Sequence, residues 1–332
     1  MNYRRNDYDV TNTVQVSSPD AVLRAVRNLF AETWPQESFD RLDTAFADFE
    51  KLFTAKYPGY HGCDTAYHDM QHSLDVTLAA ARLCVAHDRV QPANMRIGPS
   101  RSLVCVICAL FHDSGYMREL HSKVPNGAFL TKIHVSRSVE FLTRYLRVIN
   151  LTDWIPMMAQ ILHFTGYEVS FDLIHLDDQL DRTAGHLLGT ADLIAQMSDR
   201  CYLEKCRDRL YPEFVLAGIA VPEDTVHGQV KVIYSTGLDV LRSTPKFFEE
   251  IRRTRLDGEY QSAYQHLNVL FNGHNPYMEA IDGHLKYLKD IMRTQRWPLL
   301  RRDPPCFAWE NDVVKNMRLL ANAHLKQLWA RY

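Results

Sequence analysis

Apolar residues recur along most of this chain at three- and four-residue steps, the period of a helix with one face turned to a core. Ser18-Pro19-Asp20 has capping chemistry ahead of a short amphipathic helix over 21–30. A second helix follows Ser38, with Phe39, Leu42, Phe46, Phe49, Leu52 and Phe53 on one face until Tyr57-Pro58-Gly59 ends it. A third is predicted over 67–83, then a loop over 87–99, then the apolar run 103–110. The same period predicts helices over 129–142, 154–164, 187–199, 202–217, 237–253, 260–271, 276–292 and 309–329. Strand-like alternation is confined to Val230-Lys231-Val232-Ile233-Tyr234. The expected fold is all-α, with no internal repeat.

Five places break the apolar pattern with a histidine or an acid. The run 103–110 ends in Phe111-His112-Asp113, and burying either polar group uncompensated costs several kcal/mol. A divalent cation compensates both, because it takes neutral imidazole and ionised carboxylate together. His68 and His72 are four apart, so a helix over 67–83 would set them on one face, about 40° apart and about 6 Å along the axis. His134 lies on the face of 129–142 that carries Leu130 and Ile133, and His163 stands among Ile161, Leu162 and Phe164. Asp192 is flanked by small and apolar residues. Each alone has an ordinary explanation: a buried histidine bonded to backbone, exposed helix-start histidines, an internal cap or a salt bridge. Their common explanation is convergence on a metal centre built from facing helices. The nitrogen and oxygen donors suit Zn, Fe, Mn or Mg.

Composition narrows the partners. The 332 residues carry 38 Lys and Arg against 40 Asp and Glu, a net charge of −2, which is no footprint for a nucleic-acid polymer. Seven scattered cysteines argue against a disulfide framework, and Cys105-x-x-Cys108 reads as two small buried apolar residues. The polar start, residues 1–8, lacks the apolar core of a signal peptide, and no run of eighteen apolar residues occurs. No membrane partner is expected, and the expected compartment is the cytoplasm.

The stretches Tyr67-His68-x-x-x-His72-x-x-x-Val76, Leu110-Phe111-His112-Asp113 and Ala191-Asp192 together resemble the HD-domain metal-dependent phosphohydrolases. The first is similar to the corresponding helix of cyclic-nucleotide phosphodiesterases, and the likeness covers roughly residues 60–215. It implies an HD-domain helical bundle: an N-terminal helical extension (1–58), a metal-binding catalytic core (59–217) and a C-terminal helical region (218–332) that covers the core or pairs two chains as a homodimer. It further implies that His72, His112, Asp113 and Asp192 bind a first metal and that Asp113 bridges to a second. His68 would protonate the leaving oxygen, and His134 and His163 would serve the second ion.

The expected activity is hydrolysis of a cyclic or linear nucleotide phosphodiester by a hydroxide bridging two divalent ions. A nucleotide phosphomonoesterase, a non-catalytic metal-bound regulatory or ligand-binding module and an oxygen-activating di-iron centre stand as alternatives. The chain departs from relatives in that likeness at several points. Tyr116 stands where HD-GYP phosphodiesterases have a phosphate-binding lysine, and no Gly-Tyr-Pro follows. The second histidine after the His-Asp of cyclic-nucleotide phosphodiesterases, their purine-reading glutamine and the acidic motif of guanosine-tetraphosphate hydrolases are not found. Substrate-binding residues stay unassigned.

Overall fold

The computed structural model describes residues 4–221, 225–226, 229–230 and 232–329. Residues 1–3 of the polar start and Lys231 of the alternating stretch lie outside the described residues. The protein is all-α. Twelve α-helices occur among the described residues: α1 (Pro19–Thr33), α2 (Asp40–Phe53), α3 (Met70–Val90), α4 (Gly98–Phe111), α5 (His134–Val148), α6 (Ile155–Ile161), α7 (Gln179–Ser198), α8 (Tyr202–Lys205), α9 (Tyr211–Leu216), α10 (Gly237–Ile251), α11 (Pro276–Thr294) and α12 (Val313–Trp329). Extended pairing among the described residues amounts to a two-residue antiparallel ladder, β1 (Thr225–Val226) with β2 (Gln229–Val230), and two isolated bridges, Tyr8 with Gln15 and Tyr60 with Glu119.

The helix α3 is the axis of the molecule. Every residue from Met70 to Asp88 is buried, which requires neighbours on all sides rather than one. Those neighbours are α1, α4, α7 and the 3₁₀ segment Ala263–Val269. The alanines Ala79, Ala80 and Ala81 let these elements come close. Residues Ser102 to Phe111 of α4 are buried too, Cys105 and Cys108 included, as expected of small apolar side chains. The C-terminal helices pack on this body, α11 against α7 and α12 against α9.

Several differences from the periodic reading shape the site, and elsewhere the helix expected over 260–271 is a 3₁₀ segment, Ala263–Val269. The third helix begins at Met70, not at residue 67, because Asp69 caps it: its Oδ1 accepts from His72 N at 3.2 Å and its Oδ2 from Phe307 N at 2.9 Å. His68 therefore precedes the helix and does not share a face with His72 by helical spacing. The segment 129–142 divides into a 3₁₀ turn, Gly127–Ile133, and α5, which starts at His134. The helix expected over 202–217 contains a π turn, Cys206–Leu210, between α8 and α9, and a second π turn, Arg252–Glu259, follows α10. Such turns recur at functional sites.

Candidate metal centre

Two helix ends and one mid-helix position bring the donors together. Asp69 orients the first turn of α3 and thus His72. The buried α4 stops at Phe111 and delivers His112 and Asp113 into the turn that follows. Asp192 projects from the middle of α7, which packs on both α3 and α4. The entry to α5 is clamped against the same turn. The hydroxyl of Ser138 accepts from Gly115 N at 2.8 Å and lies 2.5 Å from His112 O and 2.9 Å from His134 O. A β-carbon on Gly115 would sit 1.8 Å from His134 O, so only glycine permits this approach.

The result is a cluster of acceptor atoms facing one another. His112 Nε2 lies 3.3 Å from His72 Nε2 and 3.2 Å from Asp113 Oδ2, and His72 Nε2 is 3.4 Å from the same oxygen. Asp192 Oδ1 approaches the two imidazoles at 3.5 and 3.7 Å. His112 Nδ1 donates to Ala109 O at 2.8 Å, which turns Nε2 toward the cluster. Asp113 Oδ2 is buried and receives no hydrogen bond. A cation with ligand distances of about 2.0–2.2 Å spreads its neighbouring donors roughly 2.9–3.6 Å apart. His72, His112 and Asp113 therefore form a group within metal-binding distance, and their spacing and chemistry fit a divalent ion. Asp192 stands against its two histidines as a further oxygen donor.

Electrostatics agree with that fit. Without a cation, burial and the neighbouring imidazoles of His112 and His68 drive His72 well below its ordinary pKa, despite the attraction of Asp113. His112 goes the other way: burial opposes its charge, but the Asp113 carboxylate carries it up to about 9. Asp113 is itself held well below the usual range, since the surrounding imidazoles outweigh the cost of burial. Burial, with the Asp113 charge beside it, pushes Asp192 up to about 6. One proton thus sits where a divalent charge fits better.

The other candidates fall in different places. His134 Nε2 is 3.7 Å from Asp113 Oδ1, the oxygen pointing away from the first cluster, and its Nδ1 donates to Thr131 O at 2.6 Å. His163 does not join it. That ring is partly buried in the turn after α6, does not line the cavity around the cluster, and leaves Nδ1 without a hydrogen-bond partner. The acid next to His134 is Glu168, whose carboxylate is engaged in accepting from Val135 N at 2.6 Å and Ser136 N at 3.0 Å. His68 reaches the site from the loop before α3. Its Nδ1 meets Glu213 Oε2 at 2.5 Å, and its ring stacks on Tyr116, which stacks in turn on His134.

His68, His72, His112, Asp113, His134 and Asp192 line one cavity of about 430 Å³ with Tyr67, Phe164, Tyr202 and Phe247 in its walls and Lys132 and Arg255 as its cations. Glu213 was missed by sequence reasoning, although Pro212-Glu213-Phe214-Val215 carries the same signal that singled out Asp192, an acid among apolar neighbours. Arg255 gave no signal, since it stands in a run of exposed-looking charges, Arg252-Arg253-Thr254-Arg255. Searches of protein-family models, curated proteins and solved structures return no match to this chain.

Proposed function

We propose that this chain is a metal-dependent phosphoric-ester hydrolase, acting on a cyclic or linear nucleotide phosphodiester. The observation that carries the reading is the cluster of His72, His112, Asp113 and Asp192, whose ligand atoms face each other and whose Asp113 Oδ2 is buried without a hydrogen bond. A divalent cation held there supplies positive charge against phosphoryl oxygens and lowers the pKa of a water. Asp113 offers its second oxygen toward His134, so these two residues would help to hold a second ion if one binds.

His68 holds the proton that the reaction needs. Burial works against its charge, but the Glu213 carboxylate, with Asp113 and Asp192 behind it, carries its pKa up to about 9. The ring is kept in plane by Tyr116 and is anchored through Nδ1, which leaves Nε2 as the donor to a departing alkoxide. A cavity of this volume admits one small molecule rather than a duplex, and its aromatic walls suit a flat base.

Metal analysis of the purified protein, with hydrolysis of bis(p-nitrophenyl) phosphate and p-nitrophenyl phosphate, tests the reading. Bound divalent metal and chelator-sensitive cleavage of the diester are expected. Cleavage of the monoester alone would move the assignment to a phosphomonoesterase. Protein that holds no metal, or that loses nothing to a chelator, overturns it.

A further inference from the structure

Of the two cations in the cavity Lys132 is exposed, and the buried one, Arg255, has no role in the chemistry described so far. Three arginines are buried among the described residues: Arg82, Arg209 and Arg255. Arg82 pairs with Asp9 at 2.7 Å, and Arg209 faces Asp69 at 3.7 Å. The buried Lys205 likewise pairs with Asp199 at 2.6 Å. Arg255 is 8 % exposed, and among the described residues no carboxylate lies within ion-pair distance of it; Asp192, in the same cavity, feels its charge without pairing with it. Arg255 Nη2 donates to Gly166 O at 2.9 Å and its Nη1 to the Tyr260 hydroxyl at 3.2 Å, both neutral acceptors. A buried charge without a counter-ion is costly, and this chain avoids it at its other buried arginines and at Lys205.

The geometry around Arg255 explains what the missing partner looks like. The guanidinium lies 3.8 Å from the centre of the Tyr167 ring and 4.8 Å from that of Phe171. The two rings take up part of the guanidinium surface, and its N–H groups suit a planar or tetrahedral anion. Two of five N–H donors are used by Gly166 and Tyr260. The side chain lines the same cavity as the His–Asp cluster, and it is carried by the π turn after α10.

We propose that Arg255 is a substrate-binding residue that takes a phosphoryl group of the ligand edge-on, making negative charge a condition of binding in this cavity. The inference deepens the phosphoesterase reading and rests on it for the identity of the substrate, though the anion site stands on Arg255 itself. It also assigns part of the cavity wall to the segment after α10, outside the stretch that carries the likeness to metal-dependent phosphohydrolases.

The test compares phenyl phosphate with phenol, its uncharged counterpart, by calorimetry on manganese-treated protein. Arg255→Gln is expected to weaken phenyl phosphate by about tenfold or more, the loss typical of a charge-assisted pair, and to leave phenol within about twofold. Arg255→Lys keeps the charge without the paired donors and is expected to fall between, and it carries the comparison if the glutamine variant does not fold. Unchanged phenyl phosphate binding in a folded variant overturns the proposal. So does an equal loss for phenol, which would make Arg255 a bracket for Gly166 and Tyr260 only. Manganese content of the same samples separates the two ideas: metal-free protein that still prefers phenyl phosphate through Arg255 sinks the metal centre and keeps this site.

Discussion

Glu213 changes what His68 is. A free imidazole is mostly neutral at pH 7, but this one is protonated until about pH 9 because a buried carboxylate lies 2.5 Å from Nδ1. The folded value is raised above the ordinary 6.5, so the pair's contribution to stability is complete below that value and fades as pH rises through about 9. The acid form of His68 fades over the same window. We expect His68→Ala to keep its metal while losing roughly 10²–10⁴-fold in turnover. Glu213→Gln should move the basic limb of the pH–rate profile toward neutrality. A profile that does not move in that variant would remove Glu213 from the mechanism. His112 gives a second prediction. Its imidazole is protonated at neutral pH without a cation, so metal uptake releases a proton and affinity climbs with pH toward about 9. Competition titrations at several pH values check the slope, and His112→Ala should hold metal at least tenfold more weakly, about 1.4 kcal/mol.

At the scale of elements, the site depends on where helices begin and end. Asp69 caps α3, bonds Phe307 N and faces Arg209, all from a fully buried position. Asp69→Ala removes the cap and strands a buried arginine, and we expect a loss of about 3 kcal/mol in chemical denaturation. A loss under about 0.5 kcal/mol would mean that the turn before α3 is held by other contacts. Gly115 sets the distance between the His112–Asp113 turn and the start of α5. Gly115→Ala has no room beside His134 O, so α5 must shift, with an expected cost of about 1–3 kcal/mol and weakened metal binding. If its metal affinity matches the parent, His134 and Asp113 need no fixed separation.

At the scale of the whole molecule, the centre ties α3, α4 and α7 together, so metal and stability are linked. Ligand at about a thousand times its dissociation constant stabilises by about 4 kcal/mol, and stripping the metal should lower Tm by roughly 6 °C at neutral pH. Calorimetric scans with and without chelator measure this, and coincident scans would deny the linkage. No described helix is long and apolar enough to cross a membrane. The all-α class and most helix positions were legible because apolar residues keep a helical period wherever a helix packs on a core. So were His112, Asp113 and Asp192 as buried polar groups, because a polar group in an apolar run signals a partner that local sequence does not contain, whereas His72 was singled out by a spacing from His68 that the helix start at Met70 does not keep. Helix boundaries were less legible, as at Asp69, where a side-chain cap displaced the start that periodicity implied. Partners across the fold were not legible at all. That Glu213 meets His68 across 145 positions, that His134 faces Asp113 while His163 does not line the cavity, and that Arg255 has no carboxylate within ion-pair distance among the described residues are outcomes of packing. Local pattern encodes which side chains must be buried, but only the folded arrangement of α3, α4, α5 and α7 decides which of them meet.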